Sequence, residues 1–179
     1  MRTRGALFLT LGLLLPLVSS GDGRAENASP SEYQIKSAFL FNFAKFVEWP
    51  SSAFPQANAP LVIGILGEDP FQDDLRKTIR DKMVDDHPLI IKALRSQAEA
   101  TNCHILFIST SEKARLRQIL DGLKGASVLT VGEMDRFTEA GGMINFVKAG
   151  TKIRFQINNE AALVGKLKIS SKLLNYALR

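Results

Sequence analysis

The chain has 179 residues, 45% of them hydrophobic, with 23 Lys and Arg against 18 Asp and Glu. That size suits one domain with an apolar core of its own, and a mild positive balance without an arginine-rich stripe excludes nucleic acid as the natural partner. A single cysteine and two histidines exclude a disulfide framework and a cysteine–histidine zinc set.

At the N-terminus, Arg2 and Arg4 precede a mostly apolar run from Gly5 to Val18, followed by small residues. This is the pattern of a secretory signal peptide. Gly23 and Ala25 occupy the −3 and −1 positions of a cut before Glu26, and Ser20 offers a second cut. The apolar run is shorter than the roughly 20 residues of a membrane span. The expected product is therefore exported, with no direct membrane insertion after cleavage. Residues 1–25 are the expected leader, 26–30 a flexible start, and 31–179 one α/β domain.

Ser31 and Gln34 form a capping-box pattern ahead of EYQIKSAFLFNFAKFVEW. Phe39, Phe43, Phe46 and Val47 fall on one face of that helix. Phe41 sits among polar positions, and Trp49 lies off the apolar stripe. The helix therefore carries more apolar surface than one sheet face requires. Phe41 and Trp49 are the candidate residues of a dimer or partner interface, while Phe39, Phe43 and Phe46 are expected to pack inward. Pro50 is expected to stop the helix.

LVIGIL at 61–66 and HILFIS at 104–109 are near-continuous apolar runs, the mark of strands covered on both faces. Asp69 is placed to cap a helix with Pro70 at its first position, running to about Lys82 and burying Phe71, Leu75 and Ile79. Leu89–Leu94 is a strand that Lys92 marks as a sheet edge. Ser111 precedes a helix burying Leu116, Ile119, Leu120 and Leu123, and Ser127–Val131 is the next strand. Met143–Val147 and Ile153–Ile157 flank Gly150 as an antiparallel hairpin. Asn158 or Asn159, then Ser170 or Ser171, start two short terminal helices. The fold class expected is α/β in three layers. Its sheet is mainly parallel, with helices on both faces and a C-terminal antiparallel hairpin.

Catalytic motifs are missing: the chain has no HExxH, GxSxG, phosphate-binding loop or GxGxxG. No catalytic residue, metal ligand or cofactor site is assigned. Glu68, Asp69 and Glu133 fall at the C-terminal edge of the parallel strands, where open α/β sheets bind ligands. They are the candidate sheet-edge ligand site. Cys103 opens a buried strand and has no mate within the chain. It is read as an inert core thiol, an intermolecular disulfide being the alternative.

Several segments together resemble the YfiR-like family. They are YQIKSAFLFNFAKFVEWP from Tyr33 to Pro50, GEDPF from Gly67, CHILFIS from Cys103, VLTVGE from Val128, GGMINF from Gly141 and GKLKISSKLL from Gly165. The resemblance implies a periplasmic, non-enzymatic homodimer. It would repress an inner-membrane signalling enzyme, a diguanylate cyclase in the best-understood branch, through that enzyme's periplasmic domain. The alternative it leaves open is a small-ligand-binding sensory module serving a histidine kinase or transporter. Cysteine pairs are frequent in the family, and this chain departs from that pattern by having Cys103 alone.

Overall fold

A computed structural model describes residues 29–178. The expected leader, residues 1–25, lies outside the described residues, as does most of the expected flexible start. Helix α1 (Glu32–Phe46) begins on a complete capping box. The Ser31 hydroxyl accepts from the Gln34 N–H at 3.2 Å, and the Gln34 side-chain carbonyl accepts from the Ser31 N–H at 3.0 Å. Two otherwise orphaned donors are thus satisfied. The helix ends before Pro50 is reached, because β1 (Val47–Glu48) turns extended and pairs antiparallel with β9 (Lys168–Ile169).

Strand β2 (Leu61–Leu66) is buried along its whole length. Period-two alternation divides it between two cores. Leu61, Ile63 and Ile65 join the cluster under α1, while Val62 and Leu66 join the cluster on the opposite face. Strand β5 (Ile105–Ile108) divides the same way, with Ile105 and Phe107 on one side and Leu106 and Ile108 on the other. Continuous apolar runs therefore carry two alternating patterns at once, which is why they lack visible alternation.

Helix α2 (Asp73–Ile79) is shorter than its sequence suggests. The Asp69 carboxylate accepts from the Phe71 N–H at 2.8 Å and closes a tight turn instead of capping the helix. Gln72, at φ 51°, then becomes the residue before the helix. At the other end Arg80 turns extended and Asp81 takes φ 57°, leading into β3 (Met83–Val84) and β4 (His87–Leu94). Before α3 (Leu116–Gly122) the chain winds as a 3-10 turn over Thr110–Arg115, and Ser109 rather than Ser111 caps it.

The remaining elements are β6 (Leu129–Gly132), β7 (Ile144–Ala149), β8 (Lys152–Ile157), α4 (Asn159–Val164) and α5 (Ser171–Tyr176). Asn158 and Ser170 cap the two terminal helices. The large sheet runs β3-β4-β2-β5-β6-β7-β8. β4 through β7 are parallel, and β3 and β8 pair antiparallel at the two ends. Since β3 pairs only with His87 and Pro88 and the last bond on that side runs from the Leu89 N–H to the Lys82 carbonyl at 3.3 Å, the outer side of β4 beyond Leu89, Lys92 included, is a sheet edge among the described residues. Helices α1, α2, α4 and α5 contribute to one core and α3 to the other. The result is the expected three-layer α/β architecture with its C-terminal hairpin.

Two glycines are fixed by geometry. Gly67 turns the chain after β2 at φ 90°, and a Cβ there would lie 2.4 Å from the Ser111 hydroxyl. Gly64 lets the Cys103 sulfur approach β2, since a Cβ would lie 2.6 Å from Sγ.

Candidate functional site

Helix α1 carries a charged stripe to the C-terminal edge of the parallel strands. Glu32 and Lys36 are one turn apart and bond to each other. Glu133 follows β6 directly, and its carboxylate accepts from both the Lys36 ammonium and, at 3.2 Å, the Tyr33 hydroxyl. From the hairpin, Lys148 reaches the second oxygen of Glu32 at 3.2 Å. The Lys36 ammonium also stands 4.6 Å from the Tyr33 ring centroid. These groups line a recess of about 250 Å³ that Thr110, Phe146 and Ile153 complete.

The Lys36 and Glu133 side chains are only 5% and 10% exposed. Burial works against the lysine charge, but the hydrogen bonds to Glu133 and Glu32 outweigh it and hold the pKa above the ordinary lysine value. The bond from Lys36 pulls Glu32 below the usual carboxylate range against the opposing cost of burial. Desolvation, reinforced by the Glu133 charge, raises the Tyr33 phenol, so it stays a neutral donor. Two cations face two carboxylates, and the set is internally satisfied. The geometry is that of a clasp fastening α1 to the sheet edge.

Glu68 and Asp69 do not line this recess. Both are exposed. Glu68 contributes its backbone N–H to the Ser111 hydroxyl at 3.0 Å, and Asp69 is occupied by its turn. Of the three sheet-edge acids, only Glu133 meets other ionisable groups there. Lys36, the centre of the cluster, went unassigned in the sequence. Its i, i+4 spacing from Glu32 was the one local signal for it.

The candidate interface residues lie further along the chain. Phe41 is half-buried, with the Lys82 ammonium 4.5 Å and the Lys45 ammonium 5.6 Å from its ring centroid. Trp49 is also half-buried and donates from Nε1 to the His104 carbonyl at 3.1 Å.

At the opposite edge of the sheet, Phe54 is stacked between two imidazoles. Its centroid lies 3.8 Å from that of His87 and 4.3 Å from that of His104. His104 Nδ1 accepts from the Val62 N–H at 3.0 Å, leaving Nε2 to donate to the Ala53 carbonyl at 3.2 Å. A proton added at Nδ1 would face a donor. Burial lowers the His104 pKa below its ordinary value, the Ala53 carbonyl opposes this, and the neighbouring His87 charge adds to it. The unfolded chain therefore binds a proton near pH 6.5 that the folded chain resists. Stability should fall as pH drops below about 6.5. Urea midpoints at pH 7.5 and 5.5 should show that drop, and His104→Gln should flatten it. An unchanged pH slope in the variant would assign the loss to other groups. Cys103 lies nearby, and burial pushes its thiol up to about 11, so it is a poor nucleophile at neutral pH.

Among the described residues no cluster of three or more His, Cys, Asp or Glu is arranged to hold a metal ion. No described helix is long and apolar enough to cross a membrane.

The fold is similar to a conserved domain protein from Vibrio cholerae O1 biovar El Tor strain N16961. The identity is 11% and the TM-score 0.56, over 82% of this chain and 59% of that one. A weaker likeness, 12% identical with a TM-score of 0.46, relates 65% of this chain to 55% of the ABC domain from Streptococcus pneumonia solved with L-Trp. The chain spans less than two-thirds of either structure's length, and the first likeness bears on the fold alone. No curated protein matches the chain. The YfiR/HmsC-like family model, DUF4154, matches residues 33–178. That match takes in α1 from its second residue, every strand of both sheets and the closing helix α5, so the chain belongs to the YfiR/HmsC-like family.

Proposed function

We propose that the mature protein is a periplasmic regulator that represses a membrane-bound diguanylate cyclase by binding the cyclase's periplasmic domain. The observation that carries this reading is family membership across residues 33–178. The pairing of Lys36 with Glu32 and Glu133 supports binding over turnover, because the ionisable groups at the sheet edge serve one another. The leader pattern of residues 1–25 supports export. Phe41 and Trp49 remain the proposed contact residues of a homodimer or partner interface. Both are half-buried, Phe41 on α1 and Trp49 just after it.

Repression requires the regulator to bind the inactive state of its target more tightly than the active one. Moving a cyclase from 99:1 active to 1:99 takes about 5.5 kcal/mol of differential affinity. Deleting this gene should raise cellular cyclic di-GMP, and deleting the target cyclase as well should cancel the rise. An unchanged level in the single deletion, with the cyclase expressed, would refute the reading.

A further inference from the structure

Phe39, Asn42 and Phe46 recur at i, i+3 and i+7 of α1 and share a face. With Phe155 of β8 and Leu173 and Tyr176 of α5 they wall a groove of about 520 Å³. Phe39 and Phe46, expected from the helical spacing to pack inward with Phe43, do so only in part. Only Phe43 is fully covered; Phe39 and Phe46 stay half-buried, and Tyr176 is 65% exposed. The walls are not loosely arranged. Phe39 meets Phe155 edge-on with centroids 5.3 Å apart, and Phe155 is itself buried.

The charges at this groove are all of one sign. Arg154 and Lys172 line it, and no Asp or Glu does. Among the described residues neither cation belongs to an ion pair. The Arg154 guanidinium has only a long contact, 3.5 Å, to the Tyr176 carbonyl. The Lys172 ammonium stands 5.1 Å from the Phe46 ring centroid. A largely apolar cavity within the range of about 300–1,000 Å³, with a few polar groups to orient the occupant, is the composition of a small-molecule site.

We propose that this groove binds a small amphiphile with one anionic head, a medium-chain acyl carboxylate. Its chain would lie against Phe39, Phe46, Phe155 and Leu173, and its carboxylate would be held by Arg154 and Lys172. The guanidinium fork suits a carboxylate, and Lys172 adds a second cation. A cationic head would meet two like charges. The site is separate from the Lys36 clasp and does not depend on the repression reading, because binding is measured on the isolated protein.

The test is calorimetric titration of the delipidated mature protein with decanoate, and with decanamide as a neutral isostere. Decanoate should bind at one site per protomer, at least tenfold more tightly than decanamide. Arg154 and Lys172 are exposed, so Arg154→Gln/Lys172→Gln should fold normally. It should weaken decanoate at least tenfold and leave decanamide unchanged. Asn42→Trp should fill the groove and abolish both. Absence of saturable decanoate binding, equal affinity for acid and amide, or an unaltered double variant would overturn the proposal. So would binding to anionic phospholipid vesicles without binding of free decanoate, which would assign the groove to a lipid surface. Loss of dimerisation in Asn42→Trp without decanoate binding to the wild type would assign it to a second copy, and would overturn it equally.

Discussion

Phe43→Ala is expected to lower the unfolding free energy by about 3–5 kcal/mol. The ring has no exposed surface. It lies 5.7 Å from Phe146 and 5.2 Å from Phe155 in centroid distance, with Phe39 at 6.2 Å on the same helix. It thereby joins α1 to the hairpin strands β7 and β8. Truncation removes the buried ring and leaves a cavity walled by aromatic side chains, which cannot collapse to fill it. Total stability in a domain of this size is about 5–15 kcal/mol, so a large part of the reserve rests on one side chain. Urea denaturation should show a lower midpoint at an unchanged slope. The shift should not depend on protein concentration, which separates a core defect from a split dimer. A loss below about 1 kcal/mol would mean that α1 does not pack on the hairpin as described, since buried Phe→Ala changes are rarely that mild.

Lys36→Met should cost a comparable amount, about 3–5 kcal/mol, for an electrostatic reason. The lysine is almost fully buried and holds Glu32 and Glu133 together. Without it, the Glu133 carboxylate stays buried with only the Tyr33 hydroxyl as partner. An uncompensated buried charge is far more costly than the net worth of the pair. The double variant Lys36→Met/Glu133→Leu should recover most of the loss, because an apolar pair of similar volume often replaces a buried ion pair at little cost. Denaturant midpoints of the wild type, both singles and the double form a complete cycle. A Lys36→Met variant within about 1 kcal/mol of wild type would mean that solvent screens the cluster, as it does exposed ion pairs.

The layers of the fold were legible because their signals are local. The runs at 61–66 and 104–109 announced buried strands, Ser31 with Gln34 announced a helix start, and Gly150 announced the hairpin turn. Each rests on residues within a few positions of one another. Boundaries that depend on competition were less visible. Asp69 bonds the nearest available N–H, that of Phe71, so α2 starts later than the Asp–Pro pattern suggests. Helix α1 stops short because two residues pair with a strand far along the chain, Val47 with Ile169 and Glu48 with Lys168. The candidate site was half legible for the same reason. Glu133 could be placed at the sheet edge from the end of its strand. Its partner Lys36 is 97 residues away in sequence, and no periodicity links the two. The apolar surplus of α1 was visible as well, but its distribution needed the neighbours. Lys82 shields Phe41, while the face bearing Phe39 and Phe46 opens onto the basic groove.

The most direct measurement of the proposed repression uses spheroplasts of a strain that lacks this gene and expresses the target cyclase. Purified mature protein added from outside reaches only the periplasmic face of the membrane. Cyclic di-GMP should fall with increasing protein and saturate, and spheroplasts without the cyclase should not respond. A level that stays high at saturating protein, with the cyclase present and active, would contradict repression through the periplasmic domain.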